Sequence, residues 1–253
     1  MLGNRFLAAT FIIAAGSLIA QQHQVTTGAS VPFVGCPSDG QVGPVEAPIG
    51  KRQVVLIRAE LAQRLAYYSS AQGIGVLAPR GWFCFGSYGS GGERLYVSPE
   101  RVDAQNPFSQ KWSGFLGPAI ELTHRLGDTI GRFDVATIIA RVFPAYKTFA
   151  TNLTEELGPN SFSFGPYPKD RLTYKSKTVV EYSTPAQTDG LGTHSALKKN
   201  DNPIEGVAIL IEQAPDLLLL AVRLPPDLTG LSYAIIHQVE RDAERRPQPP
   251  RIH

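Results

Sequence analysis

After its first twenty residues this 253-residue chain has no long uncharged apolar run. A helix crossing a bilayer needs about 20 such residues, so no integral membrane segment is expected once the leader is removed. Excess charge of one sign is also missing: 24 basic residues face 22 acidic ones, and no basic stripe stands out. Nucleic acid is therefore excluded as a partner, because phosphate binding needs clustered Lys and Arg. The sequence contains no Gly-x-Ser-x-Gly elbow and no His-Glu-x-x-His. Gly190-x-Gly192 lacks the third glycine and the following helix of a dinucleotide fingerprint. No cofactor and no metal is expected from these patterns. Cysteine is scarce, with Cys36 and Cys84 permitting a single internal pairing.

What is present begins at the N-terminus. Arg5 is followed by an uncharged apolar stretch from Phe6 to Ala20 and then by Gln21-Gln22-His23-Gln24. A positive charge, a short apolar run and a small residue before a polar segment read as a secretory signal peptide over residues 1–20. The expected location is secreted or periplasmic, in a bacterial envelope. In that oxidising setting Cys36 and Cys84 are expected to form a disulfide.

Residues 21–50 read as an irregular arm, since Cys36-Pro37-Ser38-Asp39-Gly40 and Val42-Gly43-Pro44 are turn chemistry. The disulfide would then pin this arm to the body. Residues 51–243 read as a single α+β domain, with helices packed on a largely antiparallel sheet. Residues 244–253, rich in Pro and Arg, read as a disordered tail. Within the domain Gln53–Ile57 suggests a short strand. Leu61, Leu65 and Tyr68 recur at helical spacing up to Gly73 and Gly75. Trp82–Tyr88 and Leu95–Val97 suggest a hairpin around Gly89-Ser90-Gly91-Gly92, with Trp82, Cys84 and Tyr88 on one face. Two helices follow. The first is capped by Asp134 with Val135, Ile138, Ile139 and Val142 inside, and the second ends at Gly158-Pro159. Thr178–Tyr182 and Val207–Glu212 alternate as half-buried strands. Leu217–Val222 is apolar throughout, as in a strand covered on both faces. Leu228, Leu231, Ile235 and Val239 then line one side of a last helix.

Chemistry has three candidate places. The loop Thr184–Ser195 is longer than a hairpin needs, and a hydrolase reading makes Ser195 the nucleophile, His124 or His237 the base and Asp189 its orienting acid. Glu121, His124 and Asp128 would share a helix face as metal ligands if residues 120–126 were helical, which the sequence leaves open. Finally, Phe162, Phe164 and Tyr167 in an aromatic loop could stack on a ligand, and Arg223 could hold an anion. The leading expectation is an exported, non-catalytic binding or structural protein of the envelope, with a glycan or a protein as partner. The alternative is a secreted hydrolase built on Ser195.

Overall fold

A computed structural model describes residues 28–71, 73, 75–211 and 215–245. The leader, the first residues of the arm and the tail beyond 245 lie outside the described residues. Among the described residues no helix is long and apolar enough to cross a membrane.

Among the described residues twelve strands and four α-helices make an α+β fold. In chain order they are β1 Gly28–Cys36, β2 Ser38–Gly40, β3 Arg52–Leu56, α1 Ala59–Ala62, β4 Leu65–Ser70, β5 Gly75–Pro79, β6 Phe83–Gly89, β7 Gly92–Ser98, β8 Ala119–Arg125, α2 Arg132–Val142, α3 Lys147–Leu157, β9 Arg171–Tyr174, β10 Val179–Thr184, β11 Ile204–Ile211, β12 Asp216–Arg223 and α4 Ser232–Arg245. Short 3-10 turns occupy 144–146, 191–194 and 226–231. The central sheet has eight strands in the order β2-β6-β7-β8-β12-β11-β10-β9, antiparallel except for the β2–β6 pair. A smaller sheet runs β3-β1-β4-β5, with β1 and β4 parallel.

Alternation along the strands divides the core between the two faces of the large sheet. Leu95, Ile120, Leu122, Val207, Ile209, Leu218 and Leu220 point to one side, where the small sheet and α4 cover them. We call this face A. Val180, Tyr182, Ala208, Leu210, Leu217 and Leu219 point to the other side, face B, under α2 and α3. Phe85, Tyr96, Phe115 and Leu197 extend face B under the loop that precedes β8. β12 is therefore buried on both sides, as its unbroken apolar run implies. The last helix begins at Ser232, and Leu228 and Leu231 lie in the 3-10 turn before it; Leu231, Ile235 and Val239 all enter the face A core.

The disulfide joins Cys36 at the end of β1 to Cys84 in β6, with an S–S length of 2.04 Å. It thus links the two sheets. Among the described residues, however, the arm is irregular only over 41–50, where a single bridge at Val45 is the one regular pairing. Residues 28–36 form β1, inside the small sheet. β1 pairs with β3 through residues 28–32 and with β4 through 33–36. Pro32, which has no N–H to give, sits where one pairing hands over to the other, a position that tolerates proline.

Two further expectations need correction, and one assignment that the sequence left open is resolved. The stripe of Leu61, Leu65 and Tyr68 is not one helix: α1 ends at Ala62, and Leu65–Ser70 is a strand. β4 lies between β1 and β5 with nearly every residue buried, so it shows no two-residue alternation to oppose the accidental helical spacing. Residues 119–125 are a strand, β8. Asp134 does not cap α2, which starts at Arg132 after Gly131. Its carboxylate instead pairs with Arg125 Nε at 2.7 Å.

Candidate functional site

The strand assignment of β8 dissolves the Glu121, His124, Asp128 constellation, because Glu121 and His124 project from opposite faces. Glu121, buried on face B, accepts from Thr123 Oγ1 at 2.8 Å and from the Ala196 N–H at 2.6 Å. On face A, His124 lies between Glu93 (Nδ1, 3.5 Å) and Asp216 (Nε2, 3.8 Å). Neither ion partner is Asp128.

The 184–195 loop lies on face B. Asp170 holds it in place: Oδ1 accepts from Thr184 Oγ1 at 2.7 Å and Oδ2 from the Leu191 N–H at 2.8 Å. Its glycines permit close packing. A Cβ on Gly190 would meet Asp170 Oδ1 at 2.1 Å, and one on Gly192 would meet Ile204 at 2.6 Å. Ser195 is buried, donating to the Gly192 carbonyl at 2.6 Å and accepting from the Leu197 N–H at 3.0 Å. No hydrogen bond links it to a histidine. His124 and His237 belong to face A, so the large sheet stands between Ser195 and both proposed bases. Asp189 is exposed and paired with Lys199 at 3.0 Å. The structure therefore does not assemble the hydrolase set.

His194, one residue before Ser195, does contact an aromatic. It forms a short bond with the Tyr167 hydroxyl, and Arg141 lies over the Tyr167 ring at 4.2 Å. Burial, with Arg141 adding to it, pulls the His194 imidazole below its ordinary value. Beside it a cavity of about 70 Å³ is lined by Arg94, Thr123, Arg125, Asp134 and Thr137. That volume suits a few waters, whereas organic ligands occupy sites of about 300–1,000 Å³. Its arginines already have Glu121 and Asp134 as partners. Of the candidate aromatics, Phe162 and Tyr167 pack against the face B core, while Phe164 is exposed beneath Lys147.

Arg223 is not an anion site. It is 1% exposed and faces B, away from Glu181. Its Nε donates to the Gly117 carbonyl at 3.0 Å, and one terminal nitrogen donates to Phe115 O at 2.7 Å and to Gly117 O at 2.6 Å. The other terminal nitrogen donates to Lys198 O. Backbone carbonyls from two loops engage the guanidinium, which holds those loops together.

Face A carries the larger openings. The β9–β10–β11 register sets Arg171, Ser183 and Glu205 in one cross-strand row and Thr173 and Glu181 in the next. With Tyr233 and His237 of α4 they line a cleft of about 430 Å³. A second cleft of about 400 Å³, beside Leu56, Arg58 and Leu61, shares Tyr233 and His237. Tyr233 is 73% exposed and forms the ridge between the two. Its ring lies 3.9 Å from that of His237, centroid to centroid.

His237 is held from both sides. Nδ1 meets the Glu240 carboxylate in a short contact one helical turn away. Nε2 points at Glu181 Oε1, 3.6 Å away, which also meets Lys175 Nζ at 3.3 Å. Burial pushes the Glu240 carboxyl above its usual value; His237 opposes that push and Glu181 adds to it. One potential ligand atom from each of Glu181, His237 and Glu240 lies within 4.8 Å of the other two. This cluster can hold a proton or a cation, and the clefts beside it can hold a polar ligand against an aromatic ring. Of the proposed catalytic residues only His237 falls here. Sequence reasoning missed Tyr233, Glu181, Glu205 and Glu240 as site residues. Tyr233, His237 and Glu240 stand at spacings of four and three beside the apolar stripe of the last helix, and that was the available signal. No family model, curated protein or solved structure matches the chain.

Proposed function

We propose that the chain is an exported, disulfide-bonded domain that binds an envelope glycan on face A without catalysing a reaction. One observation carries the reading: Tyr233 stands 73% exposed between two clefts of about 430 and 400 Å³, the larger walled mostly by polar side chains and the smaller by Leu56, Ile57 and Leu61 beside Arg58 and Arg241. An exposed ring with an apolar body and a polar tip suits stacking on a sugar. Arg171, Ser183 and Glu205 in the adjoining row offer donors and acceptors to hydroxyl groups. The leader and the cystine support export, since disulfides persist in oxidising compartments.

The test uses the processed chain recovered from the envelope fraction and a soluble N-acetylglucosamine tetramer as probe, followed by calorimetry. Saturable binding is expected, weakened about tenfold or more in Tyr233→Ala, as loss of a stacking contact worth about 1–2 kcal/mol requires. Absence of binding, or binding untouched by that substitution, overturns the reading. Retention of the chain in the cytosol with an intact leader overturns the export half.

A further inference from the structure

Two carboxylates, Glu181 and Glu240, face one imidazole, and Glu181 also meets Lys175; Glu181 and His237 line the larger cleft. Lys175 is 42% exposed, and such surface pairs are worth little, so it can swing out at small cost. Glu240 Oε1 is buried and has no hydrogen-bond partner among the described residues. A buried acceptor without a donor, beside an imidazole, leaves the cluster short of positive charge.

We propose that Glu181 and His237 bind a borderline divalent metal ion of the Zn²⁺ class. His237 Nε2 and Glu181 Oε1 are the ligand atoms, and Glu240 is a positioning residue on Nδ1. Two ligand atoms about 2.0–2.2 Å from a common ion stand roughly 3.3–3.6 Å apart at angles of about 110–120°. The observed separation of 3.6 Å meets that condition without rearrangement of the backbone. A carboxylate on the far nitrogen fixes the imidazole tautomer and raises its basicity, as it does around known metal-bound histidines. The Tyr233 ring packed on the imidazole restrains its rotation. Nitrogen and carboxylate oxygen together favour a borderline first-row ion over Ca²⁺ or Mg²⁺, which prefer oxygen alone. The remaining coordination positions open to the cleft and to water. Metal binding is independent of the glycan reading, because the probe is the ion by itself.

The experiment titrates the tag-free processed chain, both cysteines oxidised, with Zn²⁺ against a chromophoric chelator, and with Co²⁺ by visible absorption. One equivalent per chain is expected. Glu181→Gln and His237→Gln should each weaken binding by about tenfold or more. Glu240→Gln should keep the stoichiometry, weaken binding roughly 10–100-fold and shift the Co²⁺ bands, with Glu240→Asp restoring part of both. The paired glutamine variants keep side-chain size, and their circular dichroism spectra check that they fold. No stoichiometric uptake, or uptake unchanged in both Glu181→Gln and His237→Gln, overturns the proposal. A Co²⁺ spectrum unmoved by Glu240→Gln removes Glu240 from its positioning role.

Discussion

Arg223 and His237 are both charged or chargeable groups set against the same large sheet, one on each face, and they have opposite characters. Around Arg223 every donor direction named above ends on a backbone carbonyl, and the side chain is 1% exposed. Around His237 two carboxylates compete for one imidazole, a carboxylate oxygen lacks a donor, and two clefts open alongside. A buried polar group with its bonding complete stabilises the fold and has no valence left for a ligand. A half-buried group with bonding to spare is where a ligand gains most. The contrast makes Arg223 a structural residue and the His237 face the place proposed for a ligand.

Substitution at the Arg223 end should show the largest effect. Arg223→Met takes the guanidinium donor from the carbonyls of 117 and 198 and leaves Phe115 O with the Lys198 N–H alone, and stability should fall by about 3 kcal/mol. Urea unfolding checks this; a loss below about 1 kcal/mol would erase the contrast with His237. Next comes the cystine that joins the two sheets. Replacing Cys36 and Cys84 by alanine should cost about 3–4 kcal/mol, because the bridge closes a separation of 48 residues. An equal loss on adding reductant to the native protein would confirm that the bond, rather than the packing of the sulfurs, is responsible.

Alkaline pH probes the same internally satisfied class of group. Burial raises Tyr68 and Tyr96 to about 12, and Tyr68 both donates to Pro79 O at 2.8 Å and accepts from the Trp82 N–H at 3.1 Å. A folded value above the unfolded one means that the stabilisation is complete below about pH 10 and is lost as pH rises through about 12. Ultraviolet titration should show these phenols ionising only in that window, with Tyr68→Phe flattening the fall in stability. The smallest effect belongs to the exposed ridge. Tyr233→Ala should change unfolding stability by no more than about 0.5 kcal/mol while abolishing most ligand affinity. A substitution there that unfolds the protein would reverse the assignment.

Much of the scaffold was legible because its burial is one-sided or complete. The last helix announced itself through Ile235 and Val239, in line with Leu228 and Leu231 of the turn that leads into it, and β12 through six consecutive apolar residues. The hairpin of β6 and β7 followed from a glycine-rich turn between alternating strands, and Cys84 indeed faces the small sheet. β4 was obscured because burial on both sides removes the two-residue period. β1 was obscured by Pro32 and the turn residues after Cys36. The site was harder to read, since Glu181 and His237 lie on elements far apart in sequence and meet only when α4 packs over β11, beside β10. Ser195 attracted attention as a hydroxyl in a glycine-rich loop. Its glycines serve contact with Asp170 and Ile204, and only the fold reveals that neighbour.

A heteronuclear NMR titration of the processed chain with soluble envelope-glycan fragments decides most directly which face is the binding one. Perturbed amides are expected to cluster around 181–183, 205 and 230–237, on face A. Perturbations confined to 162–167 and 184–195 on face B, or none at saturating fragment, would contradict the account.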